Sequence, residues 1–165
     1  MSSAKPHVNA GPLDELYSRP GFLLRRAHQI AVGIFVQECA TVGLTPPQHG
    51  VLIAVANSPG LSQAELAGRL GFDRATVGQM VEGLESRGLL RRKSSAADRR
   101  HKSLALTPKG ARLMKRASGA IQRTSERLLQ PFSKGERALF MELLARLTTD
   151  LNQESRTPLR RKPPR

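Results

Sequence analysis

The chain has 165 residues, enough for one domain with one sizeable hydrophobic core. Its formal charge of +14, from 27 Lys and Arg against 13 Asp and Glu, favours a polyanionic partner because self-repulsion is otherwise costly. With no Trp, one Tyr and five Phe, the chain has few platforms for stacking bases, which disfavours binders of single-stranded nucleic acid and RNA. The single cysteine excludes an internal disulfide and fits a reducing compartment.

The sequence has no apolar run near the roughly 20 residues that span a bilayer, and its first residues lack a signal-peptide core. We therefore expect a cytoplasmic protein that does not contact membranes. Residues 1–18 lack periodicity and are expected to be a flexible N-terminal segment. Residues 154–165 are expected to be a basic disordered tail, which could add non-specific phosphate contacts or only improve solubility. The domain itself is expected over residues 19–153.

Helix start and stop signals within that domain are clear, because capping residues and prolines precede apolar periodic stretches. Helices are predicted over 22–40, 45–56, 62–71, 73–88, 107–130 and 133–153. Residues 89–93 and 102–106 are predicted to pair as a β-hairpin. The resulting fold class is mainly α (α+β), with one small hairpin between two groups of helices.

The helix predicted over 73–88 has two unlike faces. Its apolar stripe, which must face the core, consists of Val77, Met80, Val81 and Leu84. Small residues on the opposite face leave room for a base edge, where Gln79 can bond adenine bidentately and Arg74 can reach guanine or phosphate. The candidate DNA contacts on this helix are Arg74, Ala75, Thr76, Gly78 and Gln79. The alternative is a helical hairpin of no special purpose.

The loop of the predicted hairpin carries Asp98, Arg99 and Arg100 within a strongly basic stretch. A reading helix followed by an arginine-tipped hairpin is the arrangement by which winged-helix proteins hold duplex DNA. Asp98 could orient an arginine that enters a narrow, A/T-rich minor groove. Alternatively, Asp98 only starts a turn and the basic stretch is a solvated face.

Together these segments resemble the MarR-type (multiple antibiotic resistance regulator) winged helix-turn-helix regulators. The resemblance covers roughly residues 20–153 and is carried by Leu44–Leu52, Leu61–Ala67, Thr76–Arg92 and Asp98–Gly110. It implies a DNA-binding lobe over about 45–107 and a dimerisation platform over about 20–42 and 108–153. It also implies a homodimer on a pseudo-palindromic operator of double-stranded DNA. The chain departs from the family at Gly78 and Gln79, where Thr and Arg commonly follow the valine.

The resemblance further implies repression that is relieved by a small-molecule effector, an aromatic or phenolic acid or its CoA thioester. Arg25, His28 and His49 could donate hydrogen bonds to a ligand carboxylate or phenolate, although each could instead be structural. The long amphipathic helices at both ends of the domain independently need an apolar partner, and self-association supplies one.

No metal, cofactor or catalytic motif is present, so we expect neither metal nor cofactor and no enzyme activity. Cys39 is interpreted as a small buried hydrophobe, with a redox-sensing repressor as the alternative. The main hypothesis is therefore a ligand-responsive, sequence-specific regulator of transcription. The competing hypothesis is a basic winged-helix protein that binds nucleic acid without operator specificity.

Overall fold

The computed structural model describes residues 11–94 and 102–160 of the chain. Its helices, in chain order, are α1 Pro12–Ser18, α2 Pro20–Glu38, α3 Pro46–Asn57, α4 Gln63–Leu70, α5 Arg74–Ser86, α6 Pro108–Leu129 and α7 Lys134–Asp150. The strands are β1 Leu90–Ser94 and β2 Lys102–Leu106, which pair antiparallel. The predicted order of helices and hairpin is confirmed, and so is the mainly helical fold class.

The core lies where α3, α4 and α5 pack against the hairpin and the first half of α6. The apolar stripe predicted for α5 faces this core, and its members Val77, Val81 and Leu84 are fully buried. Leu52 and Leu66, from α3 and α4, are also fully buried beside them. Burying such an apolar side chain stabilises the fold by about 1.5–3 kcal/mol, so this small core holds the α4–α5 pair together.

The sheet contains one element that the sequence did not predict. The Leu104 backbone N–H donates to the Leu61 carbonyl at 2.8 Å, and Ser62 forms a bridge with Ser103. The residues before α4 therefore act as a short third strand beside β2. Two bonded residues carry too little periodicity to be recognised in a sequence.

The end of α5 meets the start of α6 at a compact junction around Thr107. The Thr107 hydroxyl donates to the Gly88 carbonyl at 2.7 Å and accepts from the Gly110 N–H at 3.0 Å. The Thr107 N–H donates to the Leu89 carbonyl at 3.1 Å. A Cβ atom on Gly110 would overlap the Leu89 carbonyl oxygen, so α6 can approach this closely only with glycine there.

Residues 12–18 and 154–160 are more ordered in the structure than the sequence predicted. The flexible N-terminal segment is wrong for residues 12–18, which form α1, and Asp14 accepts the Gly11 N–H at its start at 2.8 Å. The disordered tail is wrong through Arg160. A 3₁₀ turn at Asn152–Glu154 leads into residues 155–160, which lie on α4 and are called the C-terminal strap below. The strap depends on tertiary contacts that composition alone does not reveal.

Helices α2 and α6 are joined by a charged cluster at their far ends. Glu38 accepts from Arg123 Nε at 2.8 Å and from Arg127 Nη1 at 2.8 Å. The hydrogen bond from Arg123, followed by that from Arg127, holds the pKa of Glu38 below its ordinary value. Glu38 therefore remains an ionised link between the two helices at neutral pH.

Much of the apolar surface of α1, α2 and α7 is exposed. Helix α7 has no buried residue among those described, and Leu139 on it is 53% exposed. The exposed large apolar side chains on these three helices include Leu13, Leu16, Tyr17, Leu23, Leu24, Ile30, Val36, Leu139, Met141, Leu143 and Leu147. None of the described helices is long and apolar enough to cross a membrane.

We predict that Gly110→Ala lowers the free energy of unfolding by at least about 2–3 kcal/mol, because the new methyl group overlaps backbone that cannot move cheaply. Gly119→Ala on the same helix is the matched control, since its Cβ meets only Arg123 Nη1 at 3.6 Å. The control should stabilise the chain by about 0.5–1 kcal/mol. Denaturant titration at one protein concentration measures the free energy of unfolding of both variants. Equal values for the two variants would show that the contact between Gly110 and the Leu89 carbonyl yields to a methyl group.

Candidate DNA interface and ligand cleft

Helix α5 begins with a side-chain cap that fixes its first turn. Asp73 accepts from the Thr76 N–H at 2.8 Å and from the Thr76 hydroxyl at 2.7 Å. The hydroxyl bond, followed by the backbone bond, lowers the pKa of Asp73. Because the Thr76 hydroxyl is already engaged, the contribution of Thr76 to this surface is mainly its methyl group.

The outward face of α5 carries three of the five residues of this helix that were predicted to contact DNA, while Thr76 and Gly78 are only partly exposed beside them. Arg74, Ala75 and Gln79 are exposed, and Glu82 continues the same face one turn further on. The core stripe on the opposite side of α5 prevents the helix from rotating this face inward. The structure thus brings Arg74, Ala75 and Gln79 together on one accessible surface.

Gln63, at the start of α4, lies beside this face and was missed by the sequence analysis. Its Nε2 atom is only 3.3 Å from the position that a Cβ on Gly78 would occupy. Gly78 was interpreted as leaving room for DNA, but part of that room is filled by this amide. Since Gln63 directly follows the capping residue Ser62, its position on the first turn of α4 was the available signal.

The basic stretch around the hairpin is partly structural. Arg92 pairs with Glu85 at 2.7 Å, which ties β1 to α5. Lys109 Nζ donates to the Arg87 carbonyl at 2.8 Å, just beyond the end of α5. Arg91 and Lys93 are exposed on β1. The predicted wing-tip residues Asp98, Arg99 and Arg100 lie outside the described residues.

An apolar cleft of about 510 Å³ lies between α2, α6 and α7. Among the three proposed ligand residues, only His28 lines it, together with apolar side chains that include Leu24, Phe140 and Leu144. Arg25 instead lies over the Phe22 ring, 4.9 Å from its centroid, and donates to Gln29 at 3.0 Å. The cleft is thus largely apolar with one imidazole in its wall.

His49 occupies a separate position, between α3 and α2. Its ring lies 5.8 Å from the Phe35 ring, measured between centroids. Burial lowers the pKa of His49, so the imidazole is neutral at pH 7 and offers one N–H rather than a positive charge. The structure therefore does not place Arg25, His28 and His49 around a single pocket.

Cys39 is packed into the core as a small apolar group, with 1% of its surface exposed. Burial raises the pKa of the Cys39 thiol, and the negative charge of Glu38 adds to that effect. Since the thiolate is the species that reacts with peroxides, both influences reduce reactivity. Elsewhere in the described residues, no group of three or more His, Cys, Asp or Glu side chains could hold a metal ion.

Helix α5 is capped by Asp73, preceded by α4 and followed by the antiparallel hairpin of β1 and β2. This arrangement defines the winged helix-turn-helix class. A sequence model of the MarR family matches residues 42–101. A Thauera aromatica protein named for transcriptional regulation of the hcr operon is 37% identical over 139 residues, which cover 84% of this chain and 82% of the relative. The chain belongs to the MarR family, as the sequence segments had indicated.

Solved structures of related DNA-binding proteins extend this comparison. CouR bound to a 23-mer DNA duplex has a TM-score of 0.78 and 34% identity, covering 84% of this chain and 98% of that one. CouR bound to p-coumaroyl-CoA has a TM-score of 0.77 and 33% identity, covering 82% of this chain and 96% of that one. BpsR of Bordetella bronchiseptica, whose DNA binding is regulated by 6-hydroxynicotinic acid, has a TM-score of 0.75 and 30% identity, covering 81% of this chain and 95% of that one.

We predict that Gln79→Ala weakens binding to the cognate operator by about 1–3 kcal/mol per half-site while leaving binding to random duplex nearly unchanged, because a base contact carries sequence information. Gln122→Ala on α6 is the matched control and should change neither the affinity for the operator nor that for random duplex. Titrations of the two duplexes at one salt concentration measure the difference. Equal weakening on both would mean that Gln79 reads no base.

We also predict that Cys39→Ser leaves the response to peroxide unchanged, because the buried thiol of the wild type does not form the reactive thiolate. The measurement is duplex binding before and after peroxide treatment, for wild type and variant. Release of DNA by peroxide in the wild type but not in the variant would establish a redox sensor instead.

Proposed function

We propose that the protein is a sequence-specific, double-stranded DNA-binding regulator of transcription that acts as a repressor in the cytoplasm. The observation that carries this proposal is the outward face of α5, where Arg74, Ala75 and Gln79 are exposed while the opposite stripe is fixed in the core. Small side chains let the helix approach a major groove, and Gln79 then reaches base edges. The protein acts by binding DNA and not by catalysis.

The exposed apolar faces of α1, α2 and α7 support a homodimer. Leu23 on α2 and Leu139 on α7 are each about half exposed, and apolar patches this extensive are covered by partners in soluble proteins. A second copy supplies an identical apolar face by twofold symmetry. Two reading helices related by that symmetry match the two halves of a pseudo-palindromic operator.

The net charge of +14 also supports a non-specific binder of nucleic acid as the second candidate. The two functions differ in what they require of α5. A purely electrostatic binder needs exposed cations, whereas the exposed centre of this face is Ala75 and Gln79, which carry no charge. The geometry therefore favours base reading over bulk attraction.

We further propose that a small aromatic or phenolic acid, or its CoA thioester, releases the repressor from DNA. The apolar cleft between α2, α6 and α7 can receive an aromatic ring, and His28 can bond a polar substituent on that ring. The ligands of BpsR and CouR, 6-hydroxynicotinic acid and p-coumaroyl-CoA, are of this chemistry. Arg25 and His49, which lie outside the cleft, would take part only after a rearrangement.

A footprint on the DNA upstream of the protein's own gene tests this proposal. We expect protection of two half-sites centred about one helical turn apart, because a closed dimer must match operator symmetry. Adding aromatic acids or their CoA thioesters one at a time should remove the protection with one ligand class. Protection of a single half-site would contradict the dimer, and equal binding to bulk DNA would favour the non-specific candidate.

A further inference from the structure

The C-terminal strap, residues 155–160, is docked on the helix that precedes the reading helix. The Thr157 hydroxyl donates to the Gly71 carbonyl at 2.7 Å, and the Arg160 N–H donates to the Gly68 carbonyl at 2.7 Å. The Asn152 side chain also binds the strap, since it accepts from the Leu159 N–H at 2.8 Å and donates to the Leu159 carbonyl at 3.2 Å. Four hydrogen bonds thus set the path of six residues.

The surface of α4 is shaped for this contact. A Cβ atom on Gly71 would lie 3.1 Å from the Thr157 carbonyl oxygen and 3.2 Å from Leu159 Cδ2. A Cβ atom on Gly68 would lie 3.2 Å from Arg160 Cδ, and its three nearest neighbours would all be Arg160 atoms. The two glycines therefore allow the strap to lie closer to α4 than any other residue would.

The docked strap places positive charge beside the reading helix. Arg156 and Arg160 are exposed, and together with Arg74 they line one shallow cavity of about 220 Å³. Asp73 also lines this cavity, but its carboxylate is engaged by Thr76. No ion pair of either strap arginine occurs within the described residues, so both guanidinium groups can bind an anion.

The direction of the strap carries this charge toward the candidate DNA interface. Thr157 lies at Gly71, where α4 ends, and Arg160 lies at Gly68, one turn closer to the start of α4. Gly68 lies between Gly71 and Gln63 on α4, and Gln63 adjoins the outward face of α5. The sequence after Glu154 contains five bases and no acid, the last three being Arg161, Lys162 and Arg165.

We propose that the C-terminal strap is a second DNA-binding element, whose Arg156 and Arg160 bind backbone phosphates that flank the bases read by α5. This inference rests on the proposed function. Docking orders the strap before DNA arrives, so the arginines bind without the entropic cost of ordering a free tail. The partner is the phosphate backbone of the duplex already held by the same chain, because the strap shares its cavity with Arg74 of the reading helix.

The first test removes the charge and leaves the docking intact. In the full chain, the double variant Arg156→Gln/Arg160→Gln keeps the backbone hydrogen bond from residue 160. We expect the slope of log affinity against log salt to fall by about two units for each protomer bound, with at least about fivefold weaker binding at 0.1 M salt on operator and random duplex alike. Arg116→Gln/Arg146→Gln, which makes the same change in net charge on α6 and α7, should leave the slope unchanged.

The second test displaces the strap and keeps every charge. Gly68→Leu puts a side chain where the Arg160 side chain lies, and Thr157→Val/Asn152→Ala removes three of the four docking hydrogen bonds without altering α4. Both should bind the operator at least about threefold more weakly than the wild type, because the arginines must then be ordered on binding. Circular dichroism and thermal unfolding check that each variant is folded. If Gly68→Leu does not fold, the Thr157→Val/Asn152→Ala variant alone provides the test.

The outcomes separate this inference from the proposed function. A wild-type chain that binds no duplex overturns the proposed function and the strap with it. A chain that binds but keeps its salt slope in the double arginine variant overturns the strap alone. Docking variants that bind as tightly as the wild type would show that only the charge matters, and this too overturns the strap as a docked element.

Discussion

Helix α5, which we propose binds DNA, and the long helix α6 are joined through backbone groups at Thr107. Its hydroxyl bridges the Gly88 carbonyl, just after α5, and the Gly110 N–H in the first turn of α6. In both contacts the Thr107 hydroxyl binds a backbone atom and not a flexible side chain. A movement of one helix end therefore cannot be taken up by a change of side-chain rotamer in the other. Gly110 makes this possible, because its missing Cβ lets α6 rest against the Leu89 carbonyl. The end of α5 and the first turn of α6 are therefore held in direct contact.

This contact would connect the apolar cleft, where the proposed effector binds, to the proposed DNA-binding helix α5. Helix α6 has 22 residues and so extends about 33 Å from the junction. Its distant half contributes Leu128 to the apolar cleft and binds Glu38 of α2 through Arg123 and Arg127. A ligand that binds one arrangement of α2 and α6 more tightly than another shifts the population of that arrangement. Because α6 is continuous, such a shift would reach the Thr107 junction and would change the spacing of the two α5 helices in the proposed dimer.

The sequence predicted those parts of the fold that are set by local chemistry. Thr45 and Ser62 each accept from the N–H three residues on, as the capping-box pattern indicated, and the stripe on α5 faces the core as its spacing required. What it missed depends on partners distant in the chain. Ser62 forms a bridge with Ser103, and the Thr157 hydroxyl binds the Gly71 carbonyl across 86 residues. Neither pairing leaves a periodic signal. The first helix is different, since Asp14 three residues after Gly11 was a capping signal that went unused.

The site shows the same division. The exposure of Gln79 followed from helical periodicity alone, whereas the position of Gln63 depends on how α4 crosses α5. The proposed ligand residues were chosen by chemical type, and the structure separates them because His28, His49 and Arg25 face different neighbours. Side-chain chemistry identifies candidates, but only the packing of helices decides which of them share a surface.

Helix α4 illustrates how these levels combine. Its eight residues are too few for a stable helix in isolation, and Gly68 within it costs up to about 1 kcal/mol relative to alanine. Leu66 and Ala67 bury one side of the helix in the core, while the strap covers the side that carries Gly68. Gly71 ends the helix at a φ of 66°, which favours glycine, and the carbonyl of the same residue receives Thr157. Residues that weaken α4 as an isolated helix thus allow it to be held from two sides. That support offsets their cost and fixes the element on which the reading helix rests.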